Sequence, residues 1–120
     1  MNKKTIVIGA SENPERYSNM AIKKLSYYGH EVVAIGNRAG HILDIPITTE
    51  LNQQNDIDTV TLYVNPKIQA GYLNYILNTK PKRVIFNPGT ENPEIYGTLK
   101  AHDIEPVEAC TLVLLSTNQY

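Results

Sequence analysis

The chain has 120 residues, 42% of them apolar, and a formal net charge of −1. That length suits one domain, expected over residues 1–120, which buries roughly 65–70% of its unfolded surface in a core of its own. The apolar content excludes a disordered tail, the near-neutral charge without a Lys/Arg run excludes a general nucleic-acid footprint, and apolar stretches of six residues or fewer exclude a membrane span.

Met1-Asn2-Lys3-Lys4 is basic, but the apolar run after it is too short for a signal peptide and no small-residue cleavage site follows. Cys110 is the single cysteine. No internal disulfide is expected, and a reducing cytoplasm is the natural compartment.

Strands and helices alternate along the chain. Thr5-Ile6-Val7-Ile8 reads as a strand buried on both faces. Residues 17–28 read as a helix with Ala21, Leu25 and Tyr28 at a 4, 3 spacing, flanked by Met20 and Ile22, and Gly29 falls where a C′ stop is expected. Glu31 to Ile35 reads as the second strand. Ile42, Ile45 and Ile47 flank Pro46 and suggest a short edge strand or turn, after which Thr48 or Thr49 could cap a helical turn carrying Leu51. Thr59 to Val64 reads as strand three. Asn65-Pro66 then offers an N-cap with proline at N1, opening a helix with Ile68, Tyr72, Tyr75 and Ile76 on one stripe. Arg83 to Phe86 is strand four. Asn92-Pro93 opens a helix to about His102 with Ile95 and Leu99 inward. Ile104 to Val107 is a fifth strand, at a sheet edge because of Pro106. Residues 110–115 suit either a helical turn or a strand. The expected architecture is α/β: a Rossmann-like, doubly wound, mainly parallel five-stranded sheet in three α/β/α layers.

In such sheets ligands bind beyond the C-terminal strand ends, where strand order reverses. At the first exit, Gly9 lets backbone approach a phosphate, Ala10 and Ser11 follow, and a helix N-terminus comes next. Only the first glycine of G-x-G-x-x-G is present, and the lysine of a P-loop is missing. At the second exit, Gly36-Asn37-Arg38, an NAD site would want an acid for the ribose. Arg38 favours a phosphorylated ribose instead, as in NADP or coenzyme A, or is simply a solvated arginine. Arg16 reads either as a clamp on a diphosphate or as a surface group. Asn65 and Pro66 line the third exit or merely cap a helix. Asn87-Pro88-Gly89 makes a tight turn on the same rim, where Gly89 is needed at least for its backbone angles.

Gly9-Ala10-Ser11, Asn13-Pro14, Arg16 and Ser18, followed by a helix ending at Gly29, closely resemble the coenzyme A-binding domain family. These are small stand-alone Rossmann-like proteins related to the N-terminal domain of the succinyl-CoA synthetase α subunit. The resemblance extends over nearly the whole chain, through Gly36-Asn37-Arg38, Val64-Asn65-Pro66, the turn after strand four and Cys110. It implies a CoA diphosphate at Gly9–Ser11 with Arg16 and Ser18 nearby, and the adenosine end near Asn37, Arg38 and Asn65. Two positions depart from the family pattern: Asn37-Arg38 stands where Asn-Pro is common, and Asn87-Pro88-Gly89 lacks a Gln before its glycine.

Catalysis is not evident. His30, His41 and His102 read as polar surface residues, and no metal-ligand spacing occurs. Cys110 is the one reactive candidate, either a buried apolar residue or a thiol facing the thiol end of bound CoA. The expected function is binding of coenzyme A or an acyl-CoA by a cofactor-binding or sensing module. The partner is thus a small-molecule nucleotide cofactor, not nucleic acid or membrane. Exposed members of the eight tyrosines offer a homodimer surface. The alternatives are an NADP-dependent oxidoreductase and a regulatory interaction protein with a vestigial pocket.

Overall fold

The computed structural model describes residues 2–120. The elements in chain order are β1 (Thr5–Ile8), α1 (Tyr17–Tyr27), β2 (Val32–Ile35), β3 (Gly40–Ile42), β4 (Ile45–Thr48), β5 (Thr59–Leu62), α2 (Pro66–Gln69), α3 (Leu73–Thr79), β6 (Arg83–Phe86), α4 (Pro93–Ala101), β7 (Glu105–Glu108) and α5 (Thr111–Ser116). The strands form one sheet in the order β3-β4-β2-β1-β5-β6-β7, parallel except for β3 against β4. The sheet is Rossmann-like and doubly wound as expected, but it has seven strands where five were read. The two extra strands are the hairpin around Pro46. Pro46 stands opposite His41, and the parallel ladder of β4 on β2 begins only at Ile47, so its missing N–H costs no bond there. No helical turn follows Thr48, whose Oγ1 instead accepts the Glu50 N–H at 3.1 Å, and Leu51 stays exposed.

The central strand explains the layers. All four residues of β1 are buried, and successive side chains point to opposite faces. Ile6 and Ile8 join Val60, Leu62, Val84, Phe86, Ile76 and Leu99 on the α3/α4 side. Val7 joins Ala34, Ile22, Leu25 and Leu115 on the α1/α5 side. The start of α1 has an extended Arg16 at the N-cap, and its end is a Schellman turn. There Gly29 (φ +85°) donates to Ser26 and His30 to Leu25, as the glycine stop foretold. Pro106 sits on the edge strand β7, also as expected.

The helix read after Asn65 is broken in two. Gln69, 1% exposed, donates to Val64 O at 2.9 Å and Thr90 O at 2.7 Å and accepts from Asn92 Nδ2 at 3.0 Å. Pinning Gln69 inward turns Ile68 outward and ends α2, so Ile68 leaves the stripe of Tyr72, Tyr75 and Ile76.

β5 carries Thr59 and Thr61 on the α5 face, both fully buried. α5 satisfies Thr61, and Arg83 of β6 satisfies Thr59. Thr61 Oγ1 bonds Thr111 Oγ1 at 2.8 Å, and Arg83 Nε donates to Thr59 Oγ1 at 2.8 Å. Tyr120 lies alongside: its hydroxyl meets Thr5 Oγ1 at 2.6 Å, and the Arg83 guanidinium lies 4.5 Å from its ring centroid.

His30 is half-buried against this ring, 5.0 Å between centroids, rather than a plain surface histidine; His41 and His102 are exposed. Its Nδ1 accepts the Lys3 N–H at 2.9 Å, which requires that nitrogen to be unprotonated. Burial, with positive charge including Lys3 adding to it, holds its pKa below the usual 6.5. Between the folded and unfolded pKa values the unfolded chain binds more protons. Stability present above about pH 6.5 is therefore lost as pH falls through the lower folded value. His30→Asn keeps an acceptor near Nδ1 without titrating, so thermal melts between roughly pH 7 and 5 should show a shallower acid loss than the unmodified chain. Identical slopes would count against His30.

Candidate functional site

The winding reverses at β1: the chain moves to β2 on one side and to β5 on the other. Beyond the C-terminal ends of these strands lies a cleft of about 460 Å³, within the size range of small-molecule sites. Its floor is Gly9, Ala10 and Ser11 from β1's exit and Gly36 and Asn37 from β2's; Arg16, Tyr17 and Ser18 come from the start of α1. Tyr63, Val64, Ile68, Tyr72, Pro88 and Thr90 close the other wall.

Close backbone packing shapes the floor. Gly9 sits at φ +101°, and a Cβ there would lie 3.1 Å from Tyr63 Cβ and Val64 Cγ1. A Cβ on Gly36 would lie 2.4 Å from the Ala10 carbonyl oxygen. The loop after β1 is held on several sides. Gly9 and Ala10 both donate to Ile35 O at 2.9 Å. Asn19 Nδ2 donates to Ser11 O at 2.9 Å, and Glu12 Oε2 accepts the His41 N–H at 2.9 Å. Ser11 Oγ accepts the Asn13 N–H at 3.1 Å, leaving its own proton free to donate.

The electrostatics are one-sided. Arg16 is the one charged residue in the cleft lining among the described residues. α1 opens with no side-chain cap and no acid in its first turn, so its N–H groups point outward unsatisfied. α2 differs: Asn65 Oδ1 accepts the Ile68 N–H at 3.0 Å and closes that helix end. Uncapped amides, a helix dipole and a guanidinium together favour an anion. Tyr63 lines the cleft, while its hydroxyl is buried with no partner of hydrogen-bond geometry, although the mutually bonded hydroxyls of Thr61 and Thr111 lie close. Burial pushes its pKa up, so the phenol stays protonated.

The sequence-predicted residues divide into three groups. Gly9, Ala10, Ser11, Arg16, Ser18, Gly36, Asn37 and Pro88 line this cleft. Asn87, Pro88 and Cys110 line a smaller adjoining cavity together with Tyr17, Tyr63 and Leu112. Asn13, Arg38, Asn65, Pro66 and Gly89 line neither. Asn13 Oδ1 accepts the Glu15 N–H at 3.0 Å and shapes the loop, and Gly89 (φ +92°) donates to Glu91 Oε1 at 2.9 Å. Arg38 is exposed one residue past the lining. Asn65 and Pro66 are displaced because β5 ends at Leu62, two residues before the expected Val64. Tyr63 and Val64 therefore occupy the rim, and Asn65 is left to cap α2. Tyr17, Tyr63, Ile68, Tyr72, Thr90 and Leu112 were not foreseen; only Tyr17, between Arg16 and Ser18, carried a local signal.

A larger groove of about 630 Å³ lies at the opposite end of the strands. Its charges are mostly self-paired, Lys4 with Glu31 at 3.6 Å and Lys82 with Asp58 at 3.9 Å. Among the described residues no His/Cys/Asp/Glu group is suited to hold a metal, and no helix is long and apolar enough to cross a membrane.

Fold and cleft together define a doubly wound α/β protein with an anion-receptive crevice at its switch point. The chain belongs to the CoA binding domain family, which it matches over residues 3–116. It is similar to an uncharacterized protein of known crystal structure, for which no organism is stated, at 46% identity and a TM-score of 0.97, covering 100% of this chain and 99% of the other. It is also similar to a hypothetical protein from Pyrococcus horikoshii OT3, at 26% identity and a TM-score of 0.87 over 96% of this chain and 82% of that one. The fold recurs in acetyl-coenzyme A synthetase 1 of Ca. Korarchaeum cryptofilum, at 16% identity and a TM-score of 0.74, over 90% of this chain and 26% of that protein. No curated protein matches the chain.

Proposed function

We propose that this chain binds coenzyme A or an acyl-CoA along the rim of its sheet, as a cofactor-binding or sensing module without catalysis of its own. The observation that carries this reading is the uncapped N-terminus of α1 opening onto the Gly9–Ser11 turn. The diphosphate would lie on those amides, with Arg16 supplying charge and Ser11 and Ser18 supplying hydroxyls. The adenosine half would run toward Gly36 and Asn37, bringing its ribose phosphate to Arg38 and passing Asn65. The pantetheine arm would run the other way, past Tyr63 and Pro88 toward Cys110. When bound, an acyl-CoA would present its acyl group as a thioester and CoA itself a free thiol. Asn13, Pro66 and Gly89 act by shaping the loops. The single free cysteine suits the cytoplasm. The exposed Tyr17, Tyr27 and Tyr28 of the α1 region are where a homodimer would form.

Calorimetry and thermal shift with CoA, dephospho-CoA and NADP test the reading. CoA at 100 times its Kd should stabilise the fold by about 2.7 kcal/mol. A response to NADP alone would favour an oxidoreductase, and no response to any of them an interaction protein. Arg16→Ala should weaken CoA by about 1–2 kcal/mol, roughly 5- to 30-fold in Kd. An unchanged Kd would remove Arg16 from the site.

A further inference from the structure

We infer that the cavity beside the cleft is an acyl pocket, selective for CoA thioesters of short, uncharged, apolar acids; this rests on the CoA reading above. The cavity holds about 250 Å³ between Tyr17, Tyr63, Asn87, Pro88, Cys110 and Leu112. That is below the size of a site for a whole cofactor, roughly 300–1,000 Å³, and suits an appendage of one. Tyr17, Tyr63 and Pro88 line both cavities, so the two adjoin. The strand order fixes the direction. With the diphosphate at β1 and the nucleotide toward β2, the arm that ends in the thioester points toward β6 and β7, where this cavity lies.

The wall chemistry selects the acyl group. Two aromatic rings, a proline, a leucine and a thiol surround it, with no acidic or basic side chain among them. Asn87 is the one amide, and it is already engaged. Its Nδ2 donates to Thr61 Oγ1 at 2.6 Å and Leu62 O at 2.9 Å, and its Oδ1 accepts the Thr111 N–H at 2.9 Å. The Tyr63 hydroxyl is buried among the Thr61 and Thr111 hydroxyls rather than offered to a ligand. Arg16 lines the diphosphate cleft and not this cavity. No basic side chain lines this cavity to offset the desolvation of a carboxylate on the acyl chain.

Calorimetric titration of the unmodified protein with CoA, acetyl-, butyryl-, hexanoyl- and succinyl-CoA tests this. Each methylene added from acetyl upward should tighten binding by as much as about fourfold until the cavity is full. Succinyl-CoA should bind more weakly than butyryl-CoA. Leu112→Trp, which fills the cavity, should erase the chain-length gain, so that every thioester of the series binds no more tightly than CoA itself. Binding of CoA with a flat thioester series, or with succinyl-CoA tighter than butyryl-CoA, would overturn the acyl pocket alone. No binding of CoA would overturn the cofactor reading and this inference with it.

Discussion

Asn87→Ala should lower the midpoint of thermal unfolding by roughly 12 °C, corresponding to about 3 kcal/mol at roughly 4 °C per kcal/mol for a chain of this size. The residue is 2% exposed and joins three elements through its amide: β5 by Thr61 Oγ1 and Leu62 O, and α5 by the Thr111 N–H. Thr90 Oγ1 also donates to its main-chain oxygen at 2.8 Å, so the turn after β6 depends on its position. Truncation removes the side-chain bonds and strands the first-turn amide of α5 in a dry interior, which costs more than the bonds are worth in net terms. Asn87→Asp keeps the acceptor for Thr111 and loses the two donated bonds, so its loss separates the two halves of the network. A melting temperature within about 2 °C of the unmodified chain for the alanine variant, below the effect of one kcal/mol, would refute the hub.

If CoA lies in the cleft as proposed, Gly36→Ala should weaken it by roughly tenfold or more, equivalent to at least about 1.4 kcal/mol. A Cβ at this position meets the Ala10 carbonyl oxygen at 2.4 Å and Ile47 Cγ2 at 3.1 Å. The isoleucine can adjust. The carbonyl cannot, because Ala10 donates to Ile35 O and its turn leads directly into α1. The turn must move away from β2, carrying Ser11 with it and misaligning the amides offered to a diphosphate. Such overpacking also costs about 1–3 kcal/mol of stability. Comparing Kd under conditions where the variant is fully folded separates the two effects. An unchanged Kd there would mean that the turn does not touch the ligand.

Much of the fold was legible because local signals agreed. The buried run Thr5–Ile8, the glycine stop at Gly29, Asn65-Pro66 as a cap and Pro106 at an edge each follow from what a side chain or backbone permits locally. The hairpin around Pro46 was harder to read, since a proline interrupts the apolar run of β4 and β3 has only three residues, one of them apolar. The break between α2 and α3 was invisible because it depends on Gln69 reaching Val64 and Thr90. In the cleft, the strand exits named the floor. The wall of Tyr63, Ile68, Tyr72 and Thr90 comes from elements apart in sequence, and its placement hinged on a two-residue difference in where β5 ends.

The sequence by itself determined the alternation of strand and helix, the switch-point glycines and the absence of an acid after β2, because these are properties of short segments. Tertiary structure alone decided which groups face one another. Thr59 and Thr61 look like ordinary strand threonines until α5 and Arg83 cover them. Asn87 looks like a turn residue until Thr111 and Thr61 converge on its amide. A buried polar group must find its partner wherever the fold brings one, and here those partners lie 24 to 50 residues away along the chain.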